Sequence, residues 1–232
     1  MGGLALVYRG PAARPEGCPE AVAELLRSSP HGFDVRYVGP KEELRLRPEV
    51  LARAAVYAQP GGGELRPAYR RLRRHRRAVR DHVAAGGVYL GFCLGGYLAG
   101  ATPGFRLIPG DTDRWTGGGR GPVDGGRDTT VEVRWRGHPR RMFFQDGARF
   151  LVPPGAADVQ VLARYPDGAV AALTAPFGAG AVGVVGPHPE AGPDWYRDAG
   201  LRAPARPTTD LGHDLIDATL DVADRRPTGS RP

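Results

Sequence analysis

The stretch Val88-Tyr89-Leu90-Gly91-Phe92-Cys93-Leu94-Gly95-Gly96-Tyr97-Leu98-Ala99 decides the reading of this chain. The apolar run Val88 to Leu90 reads as a buried strand that runs straight into Cys93, and Leu94 to Ala99 reads as the start of a helix. Strand, glycine-flanked turn and helix together make the elbow that lifts a nucleophile above the edge of a sheet. A helix N-terminus favours the thiolate, the reactive form of cysteine. Gly91, Gly95 and Gly96 leave room for a substrate and for close helix packing. The competing reading is an inert cysteine buried at a tight strand–helix junction, a common situation for this residue type.

Working outward, the same alternation of strand and helix fills the first hundred residues. Leu4 to Tyr8 is an apolar strand ended by Arg9-Gly10-Pro11, and Pro19 to Ser28 carries a helical stripe of Val22, Leu25 and Leu26. Phe33 to Val38 and Ala54 to Ala58 are further strands. Pro67 to Ala85 reads as one long helix ending at Gly86-Gly87. Such alternation predicts parallel βαβ units with helices on both faces of a sheet, and sites in these sheets form at the carboxyl ends of strands. The second half differs. Thr130 to Trp135, Met142 to Gln145, Val159 to Tyr165, Ala169 to Thr174 and Ala181 to Gly186 read as strands separated by turns, in the manner of hairpins, and Leu211 to Ala223 as a closing helix. Arg114 to Asp128 is glycine-rich and reads as a mobile loop. The expected organisation is one domain over residues 1–224, with a disordered tail over 225–232.

Two other strand ends carry chemistry. Pro60-Gly61-Gly62-Gly63 follows the third strand, and a glycine turn there is able to aim a backbone N–H at a neighbouring strand end. His188-Pro189-Glu190 follows the Ala181 to Gly186 strand and places a carboxylate two residues from an imidazole. Residues i and i+2 of extended chain share a side, so Glu190 is placed to hold one ring nitrogen while the other serves a thiol. A thiol, a base and a group that orients the base are the parts needed for nucleophilic catalysis by cysteine. A backbone N–H of that glycine turn and that of Leu94, the residue after the thiol, would hold an oxyanion. Each motif alone is weak; three of them in order, each at a strand end, are much stronger.

Composition bounds the alternatives. The chain has 232 residues and a net charge of +7, and all of its basic residues except Lys41 are arginines. That bias points to nucleotide composition in the coding sequence more than to a surface selected for nucleic acid. The arginines of residues 66–80 therefore read as the solvated face of an outer helix, with Leu72, Val79 and Val83 inward. The two cysteines, Cys18 and Cys93, make neither a disulfide framework nor a CxxC site, and read as free thiols in a reducing cytoplasm. The histidines lack metal-ligand spacing, so no metal and no cofactor are expected. No run approaches a membrane span, and no membrane partner is expected. Trp115, Trp195 and Tyr196 are candidate lid or wall residues, the Phe143-Phe144-Gln145-Asp146-Gly147 turn is a candidate cleft lining, and Asp146 is a candidate polar contact. Arg66 and Tyr69 lie close enough to the glycine loop to meet an acidic substrate.

On these motifs, together with Val7-Tyr8 and Gly186-Pro187, the chain resembles the class I glutamine amidotransferase-like superfamily. It is most similar to the N-terminal domain of fungal-type biotin–protein ligases and their stand-alone bacterial relatives. The resemblance implies a flavodoxin-like α/β fold, with a mostly parallel sheet, helices on both faces and added β-hairpins in the second half. It also implies a Cys93-His188-Glu190 triad and an oxyanion hole at Gly62 and Leu94, and it does not carry ligase activity with it. Gly96-Tyr97 stands where glutaminases have His-Gln, which argues against glutamine as the substrate. The expected activity is that of a cysteine hydrolase or acyl/amidotransferase, acting through a thioester on an amide or ester bond of a small-molecule or short peptide-like substrate. Gly61, Gly63, Gly96 and Tyr97 are the expected substrate contacts. A homodimer is compatible with the chain, and nucleic acid is not an expected partner. The alternative is a non-catalytic ligand-binding or regulatory domain that keeps the fold.

Overall fold

A computed structural model describes residues 2–13, 17–117 and 126–225. Eleven strands form one sheet: β1 (Leu4–Tyr8), β2 (Asp34–Val38), β3 (Ala54–Gln59), β4 (Val88–Phe92), β5 (Asp111–Arg114), β6 (Thr129–Trp135), β7 (His138–Phe144), β8 (Ala148–Leu151), β9 (Gln160–Arg164), β10 (Val170–Phe177) and β11 (Gly180–Val185). Their order is β2-β1-β3-β4-β11-β10-β9-β6-β7, with β8 on β10 and β5 on β8. The first five strands of that order run parallel. From β11 onward every pairing is antiparallel. The α/β class, the helices on both faces and the hairpins of the second half are as the sequence predicts.

The parallel strands are continuous apolar runs because both of their faces are covered. Side chains alternate across a strand. Ala5, Val7, Val56, Ala58, Val88, Leu90 and Phe92 therefore face one core, and Leu6, Tyr8, Tyr57 and Tyr89 the other. Helix α1 (Cys18–Arg27) brings Val22, Leu25 and Leu26 to the first core, joined by Leu211, Leu215 and Ile216 of α7 (Thr209–Asp224). The second core is closed by Leu51 of α2 (Pro48–Leu51), Leu72 of α3 (Leu65–Leu72), Val79 and Val83 of α4 (Arg76–Ala84), and Leu94 and Leu98 of α5 (Leu94–Ala99). The start of α1 is fixed locally: the Gly17 N–H donates to the Glu20 carboxylate at 3.0 Å, and Pro19 occupies the first turn, where its missing N–H costs nothing.

The helix expected over Pro67 to Ala85 is in fact two helices, broken by a 3₁₀ turn at Arg73–His75. Arg70, Arg71, Arg73, Arg74, Arg76 and Arg77 stand three and four residues apart there, and like charges at those spacings weaken an α-helix. A tighter turn takes up the strain. Leu72, Val79 and Val83 still point inward as expected. The expected loop at Arg114 to Asp128 is also shorter than its composition suggests. Arg114 ends β5, and Trp115 is a core residue that stacks on Tyr165 at 4.3 Å and donates to Asp167 at 3.0 Å. Trp115 is thus no lid. Residues 118–125 of that expected loop, and the expected tail beyond Arg225, lie outside the described residues. Strands β5 and β8 and helices α2 and α6 (Pro193–Asp198) are short and lack a clean period, and the sequence does not announce them.

Close backbone approach dictates one glycine at the centre of the fold. A Cβ on Gly95 would stand 2.0 Å from the Gln59 carbonyl oxygen, so β3 and α5 come together only over a bare Cα. Tyr89 pins the same segment by donating its hydroxyl to the Gly95 carbonyl at 2.7 Å. Gly95→Ala is expected to cost about 1–3 kcal/mol through overpacking, read as a lower midpoint in urea or thermal unfolding. An unchanged midpoint would show that β3 and α5 are free to move apart.

Candidate active site

Strand β4 delivers Cys93 to the carboxyl edge of the sheet, and the backbone there is strained: Cys93 has φ 48° and ψ −103°. A non-glycine residue in such a conformation costs about 1–3 kcal/mol and persists only where its surroundings impose it. Those surroundings are visible. The Cys93 N–H donates to Val185 at 2.9 Å, continuing the β4–β11 pairing, and the Cys93 carbonyl accepts from Tyr97 at 3.1 Å, opening α5. The chain must switch from strand to helix at this one residue. Leu94 is the first helical residue, so its N–H has no place in the α5 ladder.

His188 and Glu190 lie just past β11. They face each other for a different reason from strand alternation, because the pleat ends at Val185. His188 instead forms an isolated bridge with Phe143, its N–H donating to the Phe143 carbonyl at 3.0 Å. The following turn, held by the Thr208 hydroxyl on the Pro189 carbonyl at 3.0 Å, folds Glu190 back. His188 Nδ1 and Glu190 Oε1 are 2.8 Å apart, and both side chains are almost wholly buried. Among the described residues Glu190 Oε2 has no hydrogen-bond partner. A buried, half-satisfied carboxylate strongly favours a cation beside it.

Gly61 joins these parts. A Cβ on this residue would stand 2.8 Å from His188 Cε1 and 3.2 Å from Cys93 Cβ. The glycine loop after β3 therefore lies in contact with both the thiol-bearing residue and the imidazole. Gly62 follows with φ 94° and Gly63 with φ 85°. Gly63 is exposed and a Cβ on it would meet nothing within 4 Å. Gly96 is buried, with the Phe150 ring and the Val185 carbonyl each 3.1 Å from where a Cβ would stand. Its bareness serves the seating of α5, and a substrate contact there finds no opening. Tyr97 donates its hydroxyl to the Asp146 carbonyl at 3.0 Å, bridging α5 to the turn after β7. The Asp146 side chain is paired with Arg114, so it is engaged on the protein itself.

The antiparallel extension roofs the site. The Cys93 thiol lies 3.5 Å from the Gln145 carbonyl. The Phe143 ring meets His188 edge-on at 5.9 Å, and Trp195 lies 5.2 Å from the imidazole, forming a wall. Tyr196 is buried and accepts the Phe143 N–H at 2.8 Å. The Gln145 carbonyl is a contact that no residue-type argument could find, since it depends on the backbone of a hairpin. Cys18, at the start of α1, is buried close enough to feel the charges of Glu190 and Cys93. Burial first, then those charges, push its thiol up to about 12, which makes it a poor nucleophile. Arg66 is exposed and Tyr69 is half-buried beside Phe105. Among the described residues no cluster of His, Cys, Asp and Glu has the makings of a metal site, and no helix is long and apolar enough to cross a membrane.

Burial pushes the His188 imidazole down. The charges of Cys93 and Glu190, and its hydrogen bonds to both, outweigh burial and hold its pKa at about 10. The imidazole lies beside both Cys93 and Glu190, with its Nδ1 fixed by the carboxylate at 2.8 Å.

A family model described as "Biotin-protein ligase, N terminal" matches residues 4–113. The chain resembles that family and, in fold, the glutamine amidotransferase-like proteins. The match includes Cys93 and the glycine loop, whereas His188 and Glu190 lie beyond it. A biotin–protein ligase of Schizosaccharomyces pombe is 28% identical over 60% of this chain, and the chain spans about a quarter (26%) of that relative's length. Among solved structures, a glutamine amidotransferase superposes with a TM-score of 0.60 at 17% identity, covering 94% of this chain and 98% of that one. A β-galactosidase from Bacillus circulans sp. alkalophilus gives 0.53 at 15% identity, covering 97% of this chain and 31% of its own. The same scaffold thus occurs in proteins of unrelated activity, and the site must carry the functional argument.

The raised imidazole pKa is testable by NMR. His188 Cε1–H is expected to stay in its protonated position from pH 6 to 8 and to titrate near 10, and in Glu190→Gln the midpoint should fall. Because the folded value exceeds the unfolded one of about 6.5, the stability linked to this group is complete below pH 6.5. It fades as pH rises through about 10. A wild-type midpoint near 6.5 would rule out the ion-pair geometry.

Proposed function

We propose that this protein is a cysteine hydrolase or acyl/amidotransferase that acts on an amide or ester carbonyl of a small or short peptide-like substrate. The observation that carries the reading is the contact of Gly61 with both Cys93 and His188, beside a buried His188–Glu190 pair at 2.8 Å. Three separate strand ends converge on one point, and Cys93 is held there in a strained backbone conformation.

In this mechanism His188 has already taken the thiol proton, and Cys93 Sγ attacks the carbonyl carbon as the thiolate of that pair. Since Nδ1 is engaged by Glu190, the proton is carried on Nε2. The developing oxyanion accepts hydrogen bonds from the backbone N–H groups of Gly62 and Leu94, each worth about 10²–10³ in rate. Collapse breaks the bond to the leaving amine or alcohol, which takes the proton from His188, and leaves a thioester on Cys93. Water or an acceptor amine, deprotonated by His188, then attacks the thioester, releasing the acyl product and restoring the thiol. Glu190 keeps the imidazole oriented throughout. Trp195 and Phe143 shield the ring from solvent, which strengthens these electrostatic terms.

A second reading, a ligand-binding domain without chemistry, is favoured by one contact: the thiol lies within hydrogen-bond reach of the Gln145 carbonyl, a resting arrangement that suits an inert sulfur. Alkylation separates the two. In the enzyme reading iodoacetamide labels Cys93 selectively at pH 7 and leaves Cys18 unmodified. His188→Asn, whose amide still satisfies Glu190, slows the labelling at least about tenfold by removing the thiolate's cationic partner. With a turned-over amide or ester, the same variant should lower kcat by about 10²–10⁴-fold, and mass spectrometry should trap the acyl group on Cys93. Slow labelling indifferent to His188, in a variant that melts like wild type, would decide for the binding domain.

A further inference from the structure

A second candidate site lies on the same sheet edge, away from Cys93. Helix α1 covers one face of the sheet and α3 the other, and β1 is flanked by β2 on one side and β3 on the other. The chain's winding reverses between β1 and β3, and ligands of open α/β sheets settle in the crevice at that reversal, beyond the strands' carboxyl ends. A cavity of about 850 Å³ opens beside that reversal, against the ends of β1 and β2 and the end of α3. Its volume is that of a small-molecule site.

The lining of this cavity is chemically one-sided. Arg45, Arg70, Arg71, Arg73 and Arg74 are among its wall residues, and no Asp or Glu is. Arg47 is also there, its guanidinium 3.9 Å from Glu49 outside the cavity. The floor is apolar: the Leu46 and Leu72 side chains and the Tyr8 ring are all buried. Arg71 and Arg74 are near enough to the buried Tyr8 hydroxyl to act on it electrostatically.

Arginine abundance alone does not account for this cluster. Several arginines elsewhere find carboxylates, Arg9 with Glu42, Arg136 with Asp214, Arg140 with Asp210 and Arg149 with Asp113, while Arg53, Arg134 and Arg164 pair with no acid among the described residues. Among the described residues Arg45, Arg70, Arg71 and Arg73 pair with no acid, although the helical spacing of the last three makes them repel one another. An anion in the cavity would remove that repulsion, and the guanidinium fork matches phosphate oxygens bidentately.

We propose that this cavity binds a small organic ligand carrying two or more phosphates, of nucleoside-polyphosphate chemistry, with the phosphates on the arginine rim and the organic body on the Tyr8–Leu46–Leu72 floor. The site is independent of Cys93. It adjoins the Cys93 region through one buried side chain: Gln59, which precedes the Pro60-Gly61-Gly62 loop, donates to the Ala12 carbonyl at 3.0 Å in the loop after β1.

Calorimetric titration of the whole chain with ATP and with inorganic tripolyphosphate tests the proposal, using Arg71→Gln/Arg74→Gln against Arg134→Gln/Arg225→Gln, a remote pair that lowers the net charge equally. Expected is saturable one-site binding of ATP, weakened at least about tenfold in the first variant and little changed in the second, both variants melting like wild type. Tighter binding of ATP than of tripolyphosphate assigns a role to the apolar floor, and equal binding places recognition in the phosphate chain alone. No saturable binding of either probe, or equal losses in both variants, would overturn the site. So would a single-stranded oligonucleotide that binds more tightly than ATP and loses affinity equally in both variants, which would mark a general attraction of the basic surface for nucleic acid.

Discussion

The close approach of α5 to the end of β3, over the bare Cα of Gly95, is the constraint on which the rest of the structure depends. Were the two elements a side chain's thickness further apart, the glycine loop after Gln59 would no longer lie against Cys93 and His188. The same approach forces the chain to turn from strand to helix within one residue, and Cys93 takes the strained backbone conformation that results. The strain is offset by ordinary means: a ladder bond to Val185, a helical bond from Tyr97, and the Tyr89 hydroxyl on the Gly95 carbonyl. Packing and site geometry are here one problem with one solution.

Electrostatics then follows from burial. Glu190 has almost no exposed side chain and, among the described residues, partners for only one of its oxygens. Water cannot solvate it, so the adjacent imidazole is held as the cation even though its own burial opposes the charge. The scaffold supplies this from two sources. The parallel half contributes the thiol, the glycine loop and the His188–Glu190 turn, and the antiparallel half contributes Phe143 and the Gln145 carbonyl. The bridge between His188 and Phe143 is where the halves are sewn together.

The cationic cavity at the end of β1 obeys a different logic. Its arginines are exposed, mutually repulsive and, among the described residues, short of carboxylates, whereas Arg114, Arg136, Arg140 and Arg149 of the β-rich half each have one. Both sites occupy the carboxyl edge of one parallel sheet, where successive loops can be varied without disturbing the strands beneath them.

Much of the fold was legible because its signals are local. Apolar runs of strand length, helical stripes such as Val22-Leu25-Leu26, and glycines at strand ends each report the physics of a few neighbouring residues. The parallel core and the elbow at Cys93 followed from them. What failed did so for want of partners. Trp115 sits in a glycine-rich context yet is a core residue, because Tyr165 stacks on it and Phe144 meets it edge-on, both distant in sequence. The long helix broke where a cluster of charges, not a proline or glycine, weakened it. Of the two roles that a bare Gly96 suggests, substrate room and close helix packing, the structure displays the packing of α5 against Val185 and Phe150. The sequence by itself determined the alternation of elements and the residue types at the strand ends, since these depend on side-chain periodicity and turn chemistry. Only the tertiary structure decided that Gly61 touches both Cys93 and His188, that the Gln145 carbonyl faces the thiol, and that unpaired arginines rim a cavity, because those relations join residues far apart along the chain through the sheet between them.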